Sequence, residues 1–282
     1  MEAYFQPLYS FLQAWVPFEW AQFAFVWRAI GAMLIIAPLC AVLGVHVVNF
    51  RMAFFSDAIS HSTFAGVALG VLWGLNPMFT LVGFGILAGL SITLVKDRSD
   101  LSSDTVISVI LSATVAIGIT VLYAQKETRN LETYLYGSIL AVSELNLFWL
   151  LVVGILIFLV MIPLFNRLLL ISLNHHLAAS RGVPVRVLEY VFSLILAVMV
   201  TFSIQVIGLF LVTAMLVVPA ATARNLAESM SGLFWVAVIS SLTAGIAGIL
   251  LSFYLNAPVG AATILIGCIF FLFSWIKIRW LP

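Results

Sequence analysis

Apolar positions in this chain form long unbroken runs and do not alternate with polar ones. Stretches free of Asp, Glu, Lys and Arg cover 29–50, 58–95, 105–125, 145–166, 190–223 and 229–276. A helix that crosses a bilayer needs about 20 such residues, so these runs predict membrane-spanning helices. Two runs are too long for a single crossing. Turn signals at Leu75-Asn76-Pro77 and at Asn256-Ala257-Pro258 divide each of them into two helices. The run 190–223 is short for two full spans. Gln205 and Gly208 near its middle nevertheless allow two shortened or irregular ones, provided they are buried in protein. The predicted fold is all-α, a polytopic transmembrane bundle of eight or nine helices.

Basic residues near span ends decide between the two counts, because they concentrate on the cytoplasmic side. With nine crossings and an inside C-terminus, Arg51, Lys96, Arg98, Arg167, Arg181, Arg186, Arg224, Lys277 and Arg279 are cytoplasmic, and Arg28, Lys126 and Arg129 are outside. A single crossing by 190–223 would move Arg224, Lys277 and Arg279 outside. The nine-helix reading is therefore favoured.

Composition agrees with the pattern: 64% of the 282 residues are hydrophobic, 8% are charged and the mean hydropathy is +1.21, too apolar for a water-soluble fold. A net charge of +1 provides no footprint for nucleic acid. Cys40 and Cys268 lie in apolar runs with no CxxC spacing and read as inert packing residues. The first charge is Glu2 and no basic region precedes the first apolar stretch, so a cleavable signal is not expected. Residues 1–25 are rich in aromatics but broken by Pro7, Pro17 and Glu19. They read as a segment at the headgroup level, ahead of a membrane domain over 26–282.

Within this apolar background, Asp57 and His61 stand out. An Asp near a bilayer centre costs about 2.5–3.5 kcal/mol on insertion scales, so it faces a bundle interior or a pathway. Positions i and i+4 share a helix face, about 6 Å apart along the axis, so a carboxylate and an imidazole there can approach one ion. Carboxylate oxygen with imidazole nitrogen suits zinc, manganese or ferrous iron. Two plainer readings stay open: Asp57 as a helix cap or a partner of Arg51, and His61 as a buried ring bonded to a carbonyl. His175 and His176 are adjacent, point about 100° apart on a helix, and read as solvated loop residues. Pro38 and Pro219 mark kinks inside spans. Gly66, Gly70 and Gly74, spaced by four, favour close helix packing on the helix of His61 and fit a dimer interface.

No phosphate-binding loop of the form G-x-x-x-x-G-K-[ST] is present, and none of Lys96, Lys126 and Lys277 follows a glycine. If ATP drives this protein, another subunit binds it. The connection 172–186 is a candidate dock, with a short helix at Leu177-Ala178-Ala179-Ser180 ended by Gly182 and Pro184. An ordinary basic cytoplasmic loop is the plainer alternative. The outer connection, 126–145, is mildly acidic at Glu127, Glu132 and Glu144.

The run from Arg51 to Gly70, with its Arg-Met pair, Ser56-Asp57-x-x-x-His61 and terminal Gly66-Val67-Ala68-Leu69-Gly70, resembles the signature of permease subunits of zinc, manganese and iron ABC importers. The apolar helix from Leu211 to Arg224, ending Pro219-Ala220-Ala221-Thr222-Ala223, is similar to a second family motif. So are Ala178 to Pro184 and Pro258-Val259-Gly260-Ala261. Ser56 departs from the common glycine but is also small. The resemblance implies a multi-pass permease in a bacterial plasma membrane, with its C-terminus in the cytoplasm. The permease forms a homodimer with two cytoplasmic ATP-binding subunits and an extracytoplasmic metal-binding protein, and binds no cofactor. A divalent zinc, manganese or iron ion passes between the two copies and meets Asp57 and His61. Coupling to the ATPase falls on His176, Ala178, Ala179, Arg181, Gly182 and Pro184. The chain would then transport and not catalyse. The alternative is a proton-coupled secondary transporter in which Asp57 and His61 carry protons. A membrane-embedded hydrolase ranks last, since neither HExxH nor a nucleophile with a neighbouring base occurs.

Overall fold

A computed structural model describes residues 18–125, 139 and 142–280. Among these, a 3-10 turn at Glu19–Gln22 precedes ten α-helices. They are α1 (Ala24–Asn49), α2 (Phe55–Leu72), α3 (Pro77–Arg98), α4 (Ser103–Gln125), α5 (Glu144–Leu173), α6 (His175–Ser180), α7 (Val185–Ile207), α8 (Leu209–Leu226), α9 (Met230–Leu255) and α10 (Val259–Trp280). Apart from the short α6, each has at least 18 residues. Eight of these nine are long and apolar enough to cross a membrane, and the exception is α2, which carries Asp57 and His61. Residues 1–17 and most of the outer connection 126–145 lie outside the described residues.

Helices are the expected solution because backbone groups in hydrocarbon must be bonded within the segment. Their ends follow local chemistry. The side chains of Asn76, Ser143, Asn174 and Ser229 accept from the backbone N–H groups of Met78, Asn146, Leu177 and Gly232 at 3.0–3.2 Å. Pro77 opens α3, where its missing N–H costs nothing. Asn256 closes α9 in the left-handed conformation at φ 51°. Pro38 and Pro219 lie inside α1 and α8, which run on through them.

Side-chain contacts fix the direction of each helix. Met33 and Ala37 of α1 meet Gly245 and Ser241 of α9, an antiparallel pair. Leu211, Val218 and Asn225 of α8 meet Gly260, Gly267 and Ser274 of α10, a parallel pair in constant register. Residues 85, 89 and 93 of α3 meet 201, 197 and 193 of α7, again antiparallel. With the hairpin of α2 on α3, the nine long helices alternate in direction. The run 190–223 therefore crosses twice and reverses at Gly208. That residue adopts φ 83°, a conformation open to glycine at little cost, and its N–H closes α7 on the Ile204 carbonyl at 2.8 Å. One end of the bundle, the basal end below, gathers Arg51, Lys96, Arg98, Arg181, Arg186, Arg224 and Lys277.

α1 is the central post, with 72% of the residues in its apolar stretch buried, whereas α4 and α5 bury 22% each. Leu156, Leu159 and Ile162 of α5 and Phe79 of α3 are largely exposed, as expected of surfaces that meet lipid. Because lipid tails are as apolar as leucine, such helices associate through close packing of small residues. A side chain at Gly44 of α1 would overlap the Leu216 carbonyl of α8, and Gly248 of α9 sits equally tight on Thr263 of α10. Gly66 and Gly70 pack on Thr80, Leu81, Phe84 and Pro77 of α3. Their small size serves a hairpin within the chain, not a face turned to a second copy, and Gly74 lies in the turn beyond α2. Single-sequence spacing identifies a packing face but not its partner.

Candidate functional site

α2 begins immediately after a tight turn. α1 ends at Asn49, Arg51 takes the left-handed conformation at φ 55°, and Met52, buried beneath the turn, returns its N–H to the Val47 carbonyl at 3.0 Å. Asp57 falls in the first turn of α2, where the positive end of the helix dipole favours a carboxylate. The plainer readings of Asp57 do not hold among the described residues. Phe54 occupies the cap position without a side-chain bond, and no ion pair joins Asp57 to Arg51.

The burial pattern of α2 isolates one line. Phe55, Ser56, Ala58, Ile59, Ser60, Ser62 and Thr63 are buried, while Phe54, Asp57, His61 and Phe64 stay partly or fully open. Buried polar groups anchor the helix from behind. Ser62 donates to the Ala58 carbonyl at 2.6 Å and its hydroxyl lies 3.1 Å from that of Thr114 of α4, and Thr63 donates to the Ser60 carbonyl at 2.6 Å. The Asp57 and His61 side chains are 35% and 36% exposed, so on their own chain both donors are reachable.

His61 Nε2 lies 3.7 Å from Asp57 Oδ1, beyond hydrogen-bond range. An ion about 2.1 Å from each donor would subtend roughly 125° between them, about 15° wider than tetrahedral, an angle that a small side-chain shift closes. The pair can thus supply two positions of a coordination sphere without moving either side chain far. No group of three or more His, Cys, Asp or Glu converges among the described residues. Within one chain the described residues bring together only these two donors.

The connection 172–186 is more helical than its sequence predicts. α6 takes in His175 and His176 as well as Leu177 to Ser180, capped by Asn174. Ala178 is fully buried and anchors the helix, with its carbonyl accepting from Val183 N–H at 3.1 Å. His175, His176, Leu177, Ala179, Ser180, Arg181, Gly182 and Pro184 are exposed. Gly182 adopts φ 73° and reverses the chain into α7. The exposed surface combines the small residues Ala179, Ser180 and Gly182 with His175, His176 and the cationic Arg181, and among the described residues nothing lies within 4 Å of a side chain added at Gly182. The two histidine rings stand edge-on, 6.0 Å apart.

His46 escaped the sequence reading because it lies inside an otherwise apolar run. It is wholly buried in α1, edge-on to Phe165 of α5 at 4.8 Å and near Phe192 of α7 at 5.9 Å, and among the described residues neither ring nitrogen has a hydrogen-bond partner. It does not join Asp57 and His61. Cys40 is buried and Cys268 exposed, and both are free thiols.

Residues 22–278 match the ABC 3 transport family. The chain is 33% identical over 254 residues to the manganese import system permease protein ScaB of Streptococcus parasanguinis, covering 90% of this chain and 91% of that one. It is 30% identical to a probable iron transport system membrane protein of Haemophilus influenzae, covering 93% and 100%. Among solved structures it is similar to PsaBC from Streptococcus pneumoniae in complex with Fab, with a TM-score of 0.79 and 31% identity over 92% of this chain and 95% of that one.

Proposed function

The chain belongs to the ABC 3 transport family, and from that premise we propose that it is the permease subunit of an ATP-driven importer of a divalent transition-metal ion: manganese, iron or zinc. The observation that carries the reading is the open line of α2, where Asp57 and His61 hold two donors 3.7 Å apart on a helix whose flanking positions Ser56, Ala58, Ser60 and Ser62 are buried. Two copies placed with these lines facing would bring two carboxylates and two imidazoles to one axis. Four such ligands replace the hydration shell of a divalent transition metal. Relatives concerned with manganese and with iron support this substrate class, since the same oxygen and nitrogen donors suit both. Membership in this family also favours ATP over a proton gradient as the energy source.

The basal end faces the cytoplasm in this reading, in keeping with its basic residues. The C-terminus lies there too, and so does α6, on which an ATP-binding subunit docks through His176, Ala179, Arg181, Gly182 and Pro184, with Ala178 as the buried anchor. A metal-binding protein delivers the ion at the opposite end. This chain itself moves the ion and performs no catalysis.

A mild-detergent pull-down from the native membrane tests the assignment. A soluble ATPase should co-purify in stoichiometric amount with the unaltered chain and be lost with Ala179→Trp. Ala179 is the better probe than Gly182, where a Trp would also strain a left-handed backbone. A clean preparation with no nucleotide-binding partner would sink the ATP-driven reading in favour of proton coupling by Asp57 and His61.

A further inference from the structure

At the basal end, α3 and α7 are joined by a ladder of polar contacts that the metal site does not use. Thr93 and Ser193 hydroxyls lie 2.6 Å apart, Lys96 Nζ is 3.8 Å from Glu189 Oε1, and Arg186 Nε is 3.2 Å from Asp97 Oδ1. The ladder grades from buried to exposed, with Thr93 and Ser193 hidden and the Arg186 side chain 76% exposed. Above it the same two helices touch through Gly89 on Ala197 and Gly85 on Thr201. The close glycine contacts along one half and the buried Thr93–Ser193 bond at the start of the other resist sliding of this antiparallel pair, and the two ion pairs beyond them set its register.

Each end of this pair leads to a different site. α7 starts at Val185, directly after the α6 connection. α3 packs on α2 through Gly66 and Gly70, and Lys96 also reaches Met52 Sδ at 4.0 Å, in the turn that launches α2 toward Asp57. We infer that the ladder makes α2, α3 and α7 one rigid body that carries motion of the 172–186 connection to Asp57 and His61. Lys96, Asp97, Arg186 and Glu189 are then positioning residues for transport. This rests on the reading of α6 as the ATPase dock.

The experiment uses the complete complex in proteoliposomes and reads metal moved per ATP hydrolysed, a ratio that simple loss of protein does not alter. Glu189→Lys should lower that ratio about tenfold, the scale of a coupling free energy between sites, while the ATPase stays bound. Combining it with Lys96→Glu should restore the ratio. In a background of Cys40→Ala and Cys268→Ala, a disulfide between Thr93→Cys and Ser193→Cys should leave transport as it is in the reduced form, because the two helices move together. That bridged pair decides the matter independently of whether the charge reversal folds. An unchanged ratio in Glu189→Lys, or a bridge that blocks transport, would overturn the inference. Absence of ATP-driven uptake by the unaltered complex would instead remove the transport reading itself.

Discussion

Replacing Asp57 or His61 with alanine is expected to abolish metal uptake while leaving the bundle assembled. Both side chains point along the open line of α2, and neither has a hydrogen-bond partner among the described residues, so their loss unties nothing in the core. The functional loss should be severe. Altering groups that merely orient metal ligands already costs about 10–100-fold in affinity or activity, so removing a ligand from each copy of the proposed dimer should cost about 100-fold or more. Asp57→Asn separates charge from shape: it keeps the volume and an oxygen donor, but removes the negative charge that helps the protein compete with water for a divalent cation. Uptake should fall with Asp57→Asn nearly as far as with Asp57→Ala. The measurement is cellular manganese, iron and zinc by mass spectrometry, beside size-exclusion profiles of each variant. Normal uptake in the alanine variants would remove the site from α2.

The contrast between this site and the polar ladder shows what one sequence can reveal. Asp57 and His61 are four residues apart on one helix, and helix periodicity alone brings them together. Lys96 with Glu189, and Thr93 with Ser193, are separated by about a hundred positions, and only tertiary packing makes them neighbours. His46 was hidden for a related reason. Helix packing surrounds it with Phe165 and Phe192; an ionisable ring inside an apolar run signals an interior position, but not which helices pack on it.

Fold boundaries divide in the same way. Asn76-Pro77 and Asn256 were legible as breaks because cap and left-handed conformations select those residue types, and Gly208 was legible as a candidate reversal. Helix ends defined by charge-free runs were less exact. α1 begins at Ala24 and includes Arg28, α5 runs past Arg167 to Leu173, and α7 starts before Arg186 and Glu189. Charged side chains at span ends reach water while the backbone stays helical, so a helix outlasts its apolar run.

Gly44→Val should be the most damaging single change to the fold. α1 carries more of its surface in the interior than any other span, and at Gly44 its backbone lies against the backbone of α8. A Cβ there would overlap the Leu216 carbonyl oxygen and stand 2.9 Å from its carbon, with the Leu216 Cα 3.3 Å away. Neither backbone can rotate out of the way as a side chain can. The helices must separate, and with them the small-residue contacts at Ala41, Val45, Ala220 and Ala223 that close the same seam. Forcing extra carbon into a packed interior costs about 1–3 kcal/mol where side chains can adjust, and more where they cannot. Between membrane helices, where no hydrophobic force compensates a lost fit, that is expected to eliminate monodisperse protein. Gly83→Val is the matched control, since Gly83 also lies inside a membrane helix but has nothing within 4 Å of an added Cβ. Its purified yield and melting temperature should stay close to those of the unaltered chain. Equal behaviour of the two variants would mean that α1 and α8 do not meet backbone to backbone, and the placement of α8 beside the central post would have to be redrawn.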